Sequence, residues 1–168
     1  SITRTPALIK AGVRVIEQPL LPRLDQEMPA LCWEFGGEVK LMADESLTTL
    51  GSAERLVESG AFNHYNLKVS KNGGILSTIR LYRYLQMQGM SAQLGAHFGE
   101  TSILTAAAMW VAASAPGLRA IEGGLGSWLL EKDIGSESLR IDQNAQIKLD
   151  TLVSPGLGWG VRPKDLST

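Results

Sequence analysis

Three charged residues stand where short apolar runs give way to turns. Val13-Arg14-Val15-Ile16 leads to Glu17, just before Gln18-Pro19. Val39-Lys40-Leu41-Met42-Ala43 leads to Asp44, followed by Glu45-Ser46. Tyr65-Asn66-Leu67 leads to Lys68, followed by Val69-Ser70-Lys71-Asn72-Gly73-Gly74. Buried strands avoid charge, because an unpaired ion is costly out of water. An apolar strand that stops on a carboxylate or an amine is how an α/β barrel presents chemistry at its carboxyl-terminal face. Two carboxylates and a lysine at successive strand ends suggest a metal site beside a base. We expect neighbouring parallel strands to deliver Glu17, Asp44 and Lys68 to one rim. The plainer alternatives are a turn-capping carboxylate at Glu17 and a lysine snorkelling from a strand end at Lys68.

The elements that must position these residues alternate. Strands are expected at Val13 to Glu17, Val39 to Ala43, Tyr65 to Val69, Ser91 to Leu94 and Leu118 to Glu122. Helical spacing marks Ala7 to Ala11, Thr48 to Ser59 and Ile75 to Gln88, and a helix capped by Thr101 or Ser102 runs through Ala115. Asp25 to Cys32 reads as helical, although Pro29 argues against it. Strand starts near 13, 39, 66, 91 and 120 are separated by 26, 27, 25 and 29 residues. That beat implies parallel strands with right-handed crossovers. Beyond about Leu125 it breaks; Asp142 to Leu152 reads as irregular or short-strand structure. Five units are too few for a closed barrel, so the fold class is α/β, as an open doubly wound sheet or as part of a (β/α) barrel.

Composition narrows the function. The chain has 168 residues, 44% of them hydrophobic and 20% charged, enough for one domain with a core. Formal net charge is −1, with no basic run, so nucleic acid is not an expected partner. No apolar run is long enough to span a bilayer, and no signal peptide is evident. One cysteine, Cys32, rules out an internal disulfide framework and fits a cytoplasmic location. A dinucleotide site would need a glycine-rich first strand-helix turn, and Gln18-Pro19-Leu20-Leu21-Pro22 is wrong for it. Glycines 123, 124 and 126 make a poor fingerprint for the same purpose.

Five stretches carry a resemblance: Ile16-Glu17-Gln18-Pro19, Ala43-Asp44-Glu45-Ser46, Leu67 to Gly74, Gly99-Glu100-Thr101-Ser102 and Pro155-Gly156-Leu157-Gly158. In order and spacing, over nearly the whole chain, they resemble the enolase superfamily, in the mandelate racemase and muconate-lactonizing group. The lysine stretch with its two glycines is similar to the muconate-lactonizing subgroup. The resemblance implies a partial (β/α) TIM-type barrel, its strands corresponding to barrel strands four to eight. It leads us to expect residues 1–168 to be the carboxyl-terminal barrel part, without the capping domain, the first three strands, a third metal carboxylate or the lysine-x-lysine pair.

The resemblance also implies roles. The family abstracts a proton next to a carboxylate and forms an enediolate, aided by Mg2+. Glu17 and Asp44 resemble two of its metal ligands. Glu45 should point to the opposite side of the strand and serve structure. Lys68 resembles the general base or acid, and Lys71 a neighbour. Glu100 resembles an acidic residue that bonds the base or the substrate. His97 and Glu122 are candidates for substrate contact, His97 having a hydrogen-bonded surface histidine as its plainer reading. His64 and Trp110 read as structural. The expected partner is a small carboxylate-containing substrate. We expect the piece alone to be inactive, and to associate with further copies or with the missing amino-terminal half. The alternative is a non-catalytic domain or pseudoenzyme that associates through its open sheet edges.

Overall fold

The structure is a computed structural model that describes residues 3–136, 138–147, 158 and 160–164. In chain order the elements are α1 (Thr5–Lys10), β1 (Val15–Glu17), a 3-10 helix (Pro22–Glu27), α2 (Met28–Phe35), β2 (Lys40–Ala43), α3 (Leu50–Glu58), β3 (His64–Leu67), α4 (Ile75–Met87), β4 (Ser91–Leu94), α5 (Ser102–Ala113) and α6 (Gly126–Leu129). The strands form one sheet in the order β1-β2-β3-β4. β1 pairs parallel with β2, placing Glu17 opposite Met42, and β2 pairs parallel with β3, placing Ala43 opposite Tyr65. The chain divides into two compact units, Ser1–Leu67 with Ile79–Gln93, and Lys68–Thr78 with Leu94–Thr168.

The first unit owes its core to the strands and to the apolar stripes of their crossover helices. Met28, Leu31, Leu41, Leu47, Leu56, Tyr65, Leu67, Leu81 and Leu85 are buried almost completely. Each such side chain stabilises by about 1.5–3 kcal/mol relative to leaving it in water. α3 starts on a reciprocal cap: Thr49 Oγ1 accepts the Ser52 N–H, and Ser52 Oγ accepts the Thr49 N–H. Pro29 does not prevent α2, because it lies in the first turn, where its missing N–H would have had no helical partner. β1 departs from expectation. It begins at Val15, two residues late, and Glu17 at its end is exposed; its place at the end of the strand order, with Val15 exposed, is the open edge expected of a partial barrel.

In the second unit the expected strand at Leu118 to Glu122 shrinks to one parallel bridge, Leu94 to Ile121. The Leu94 N–H donates to Ala120 O and the Glu122 N–H to Leu94 O. Arg119 and the flanking Pro116-Gly117 and Gly123-Gly124 leave too short an apolar run for more. Ala106, Leu139 and Val161 form a small core against Ile103, Met109 and Ile147. Of the stretch expected to be irregular or a short strand, residues 142–147 are irregular and make a turn, with Asp142 Oδ1 accepting the Asn144 and Gln146 N–H groups. Pro155 to Leu157 lie outside the described residues. Among the described residues, no helix is long and apolar enough to cross a membrane.

Candidate active site residues

The first unit holds the two expected metal carboxylates. Glu17 is the last residue of β1 and Asp44 the first after β2, its parallel neighbour. Glu17 is exposed, so its charge carries little desolvation cost, contrary to the expectation of a buried strand end. Asn66 of β3 donates from Nδ2 to Glu17 Oε1 at 2.7 Å. Asp44 is 6% exposed, whereas Glu45 beside it is exposed in the turn after β2, so its outward position comes from the turn and not from strand alternation.

Gln18 shapes the loops around both carboxylates. Its φ of 37° lies in the left-handed region, unusual for a residue with a Cβ. Its Oε1 accepts the Asp44 N–H at 2.9 Å and the Ser46 N–H at 3.3 Å. Its Nε2 donates to Ser46 Oγ and to Leu20 O, each at 2.8 Å. Ser46 Oγ in turn donates to Asp25 Oδ1 at 2.7 Å. Backbone strain of about 1–3 kcal/mol at Gln18 is offset by these bonds, which define where Asp44 begins.

Glu17 and Asp44 present only oxygen donors, which suits a hard cation such as magnesium. Magnesium is commonly held by one or two carboxylates with water completing its shell, so the residues fit the ion. Among the described residues, no cluster of three or more histidine, cysteine, aspartate or glutamate side chains could hold a metal.

The second unit holds the lysine and the other candidates. Lys68 follows β3 directly and is buried. Its N–H donates to Asn72 Oδ1 at 2.8 Å, and the Asn72 N–H returns to Lys68 O at 2.9 Å. The turn closes when the Gly74 N–H meets Val69 O, with Gly73 and Gly74 at φ of 78° and 95°. Those angles are why two glycines follow the lysine. Glu100 is buried before α5, and its Oε1 accepts the His97 N–H at 2.8 Å and the Ser70 hydroxyl at 3.3 Å. His97 is half-exposed, with Nδ1 2.7 Å from Ser70 Oγ. Glu122 is exposed, and its Oε2 accepts the Ala96 N–H at 3.4 Å. A methyl group at Gly126 would lie 2.1 Å from Glu100 O, so α6 can start there only with glycine.

His64 is the first residue of β3, not a residue before it, and its Nδ1 lies 2.8 Å from Ser91 Oγ in the first unit's interior. Trp110 is partly buried on α5. Sequence reasoning missed the positioning done by Gln18, Asn66, Ser70 and Gly126. Asn66 carried a signal, since asparagine is depleted in strands and this one interrupts an apolar run.

A family profile described as enolase C-terminal domain-like matches residues 1–165. The chain belongs to this enolase C-terminal domain-like family. It is similar to the chloromuconate cycloisomerase of Pseudomonas putida, with 32% identity over 161 residues, covering 96% of this chain and 42% of the relative. The D-Ala-D/L-Ala epimerase of Cytophaga hutchinsonii is 32% identical over 97 residues, 58% of this chain and 26% of the relative. The crystal structure of muconate cycloisomerase from Pseudomonas fluorescens aligns with a TM-score of 0.82 at 26% identity, covering 96% of this chain and 43% of that one. The chain thus spans about two fifths of the length of these cycloisomerases. Its α/β fold of parallel strands is that of the carboxyl-terminal part of the enolase-superfamily barrel, within the mandelate racemase and muconate-lactonizing group.

Proposed function

We propose that the chain is the carboxyl-terminal barrel part of a magnesium-dependent, cytoplasmic enzyme that abstracts a proton α to a carboxylate through an enediolate, of the muconate cycloisomerase type. The observation that supports this reading is the placement of Glu17, Asp44 and Lys68 at or directly after the ends of three consecutive parallel strands. Glu17 and Asp44 would hold the magnesium ion, whose charge would offset the negative charge that builds on a substrate carboxylate. Asn66 orients the Glu17 carboxylate, and Gln18 holds the start of the Asp44 loop. Lys68, as the general base, takes the α-proton from the substrate carbon onto its Nζ or, as the acid, returns one from it, and Glu100 bonds the base or the substrate. Glu122 and His97 contact the substrate. That substrate is a small carboxylate, and the named relatives make muconates, chloromuconates and alanyl dipeptides the first to try.

A second reading, association without catalysis, is favoured by the position of β1. It ends the strand order with Val15 43% exposed, and an open edge invites pairing with another chain.

The test uses the longest protein that the coding region encodes. Muconate consumption is followed by absorbance, and dipeptide epimerisation by deuterium uptake at the α-carbon. Turnover should need magnesium, stop on chelation, and fall by about 10²–10⁴-fold in Lys68→Met. Turnover that survives both chelation and Lys68→Met would overturn the proposal. Absence of turnover, together with a self-associating protein, would favour the second reading.

A further inference from the structure

We infer that Ser70 is the middle link of a proton relay joining half-exposed His97 to the buried carboxyl of Glu100. The purpose of the relay rests on the reading above that Glu100 works at the proton-transfer step; its hydrogen-bond pattern stands apart from that reading. Ser70 Oγ lies 2.7 Å from His97 Nδ1 and 3.3 Å from Glu100 Oε1. The His97 N–H donates to the same Oε1 at 2.8 Å. The His97 side chain is 49% exposed and that of Glu100 only 6%, so one end of the chain meets water and the other does not.

One proton decides the direction. A serine hydroxyl has a single hydrogen to donate. Were it given to Nδ1, Oγ would face the carboxylate oxygen with lone pair against lone pair. With the hydrogen on Nδ1, the imidazole donates to Oγ and the hydroxyl proton points at Glu100. With Glu100 as a carboxylate, only this arrangement satisfies both contacts. The donors therefore run from His97 Nδ1–H to Ser70 Oγ–H to Glu100 Oε1. The second link is long for an O–H···O bond, and proton transfer would shorten it. A nucleophilic triad places histidine between serine and acid. Here the serine is in the middle, which suits passing a proton and not activating Oγ.

The step balances. His97 takes a proton at Nε2 from a solvent hydronium, which leaves as water, and becomes an imidazolium. The Nδ1–H bond then breaks as an Oγ–H bond forms, and the original Oγ–H bond breaks as Oε1–H forms. Imidazolium and carboxylate become neutral imidazole and neutral carboxyl, and the serine hydroxyl is restored. The His97 N–H holds Oε1 throughout. Other charged groups close in the chain are Lys68 and Lys71, on either side of Ser70, and Glu122, whose Oε2 takes the N–H of the residue before His97.

The chain has two histidines, so 15N imidazole signals of the whole chain are assigned with His97→Gln alone. At a pH high enough that the imidazole signals no longer move, neutral His97 should carry its hydrogen on Nδ1. Ser70→Ala should lose that preference, because Nδ1 and Glu100 Oε1 at 4.0 Å are too far apart for a direct bond. Ser70→Thr, which keeps the hydroxyl, should retain it. A wild-type His97 protonated on Nε2, or a preference unchanged in Ser70→Ala, would overturn the relay. The wild-type measurement needs only the His97→Gln assignment and does not depend on either Ser70 variant folding. No metal or substrate is used, so failure here leaves the roles of Glu17, Asp44 and Lys68 untouched, and failure of turnover leaves the tautomer result intact.

Discussion

The two units hold their charged residues by different means. In the first, register does most of it: β1 and β2 pair in parallel, and amide side chains reach across to Glu17 and to the Asp44 backbone. In the second, turns and close backbone packing take over: the Lys68 turn closes on Asn72 and Gly74, and Glu100 is held by Ser70, the His97 N–H and the approach of Gly126. A sheet tolerates loss of one side-chain bond, because its ladder remains. A turn packed backbone to backbone has no such reserve. Substitutions should therefore cost more stability in the second unit than in the first.

Gly126→Ala gives the largest expected effect. The new methyl would meet Glu100 O at 2.1 Å and Glu100 N at 2.4 Å, both backbone atoms. Overpacking typically costs about 1–3 kcal/mol, and the upper end is expected where backbone has to move. Urea unfolding should show the loss as a lower midpoint. The Glu100 carboxyl carbon signal should shift as well. A midpoint and signal like those of the wild type would remove Gly126 from the account of how Glu100 is held.

Asn66→Ala probes the first unit by the opposite logic. The hydrogen bond that the Asn66 amide donates to Glu17 is short, but Glu17 is exposed and stays solvated without it. Stability should fall by about 1 kcal/mol. Magnesium affinity should fall by about 10–100-fold, the usual consequence of losing a side chain that orients a metal ligand. Titration calorimetry with magnesium reads this directly. A large stability loss with unchanged affinity would show that Asn66 serves the core and not the carboxylate.

The same contrast explains what could be read from the residues alone. Apolar runs and turn glycines mark β2, β3, β4, α3 and α4 to within about two residues, because those signals are local. The positions of Glu17, Asp44 and Lys68 at strand ends are legible for the same reason. The contacts that hold them are not. Asn66 and Glu17 are 49 residues apart, Gln18 and Ser46 are 28, and Ser70 and Glu100 are 30. No periodicity announces such pairs; the fold has to bring them together first. The exposure of Glu17 was misjudged because Val13 to Ile16 has an apolar strand's composition, whereas burial depends on what covers the strand. The reduction of the expected fifth strand to one bridge is the same error at the other unit, since pairing needs a partner and not only a suitable sequence.

The smallest expected effect separates the units by pH. All three tyrosines, Tyr65, Tyr82 and Tyr84, lie in the first unit. Burial pushes the Tyr65 hydroxyl well above its ordinary value, and the nearby Cys32 and Tyr84 add to the shift. Its proton is committed to Phe62 O at 3.3 Å. A tyrosine raised in the folded state stays protonated there while the unfolded chain releases its proton above about pH 10. Its contribution is therefore complete below that pH and is lost as pH rises toward the folded-state value, by at most about 1.4 kcal/mol per pH unit. Tyr82 and Tyr84 shift in the same direction, so Tyr65→Phe should remove part of the slope and not all of it. Urea midpoints between pH 9 and pH 11, wild type against Tyr65→Phe, measure that part. If the two proteins lose stability in parallel, the alkaline sensitivity does not originate in the Tyr65 hydroxyl, and the buried core of the first unit is not what distinguishes it at high pH.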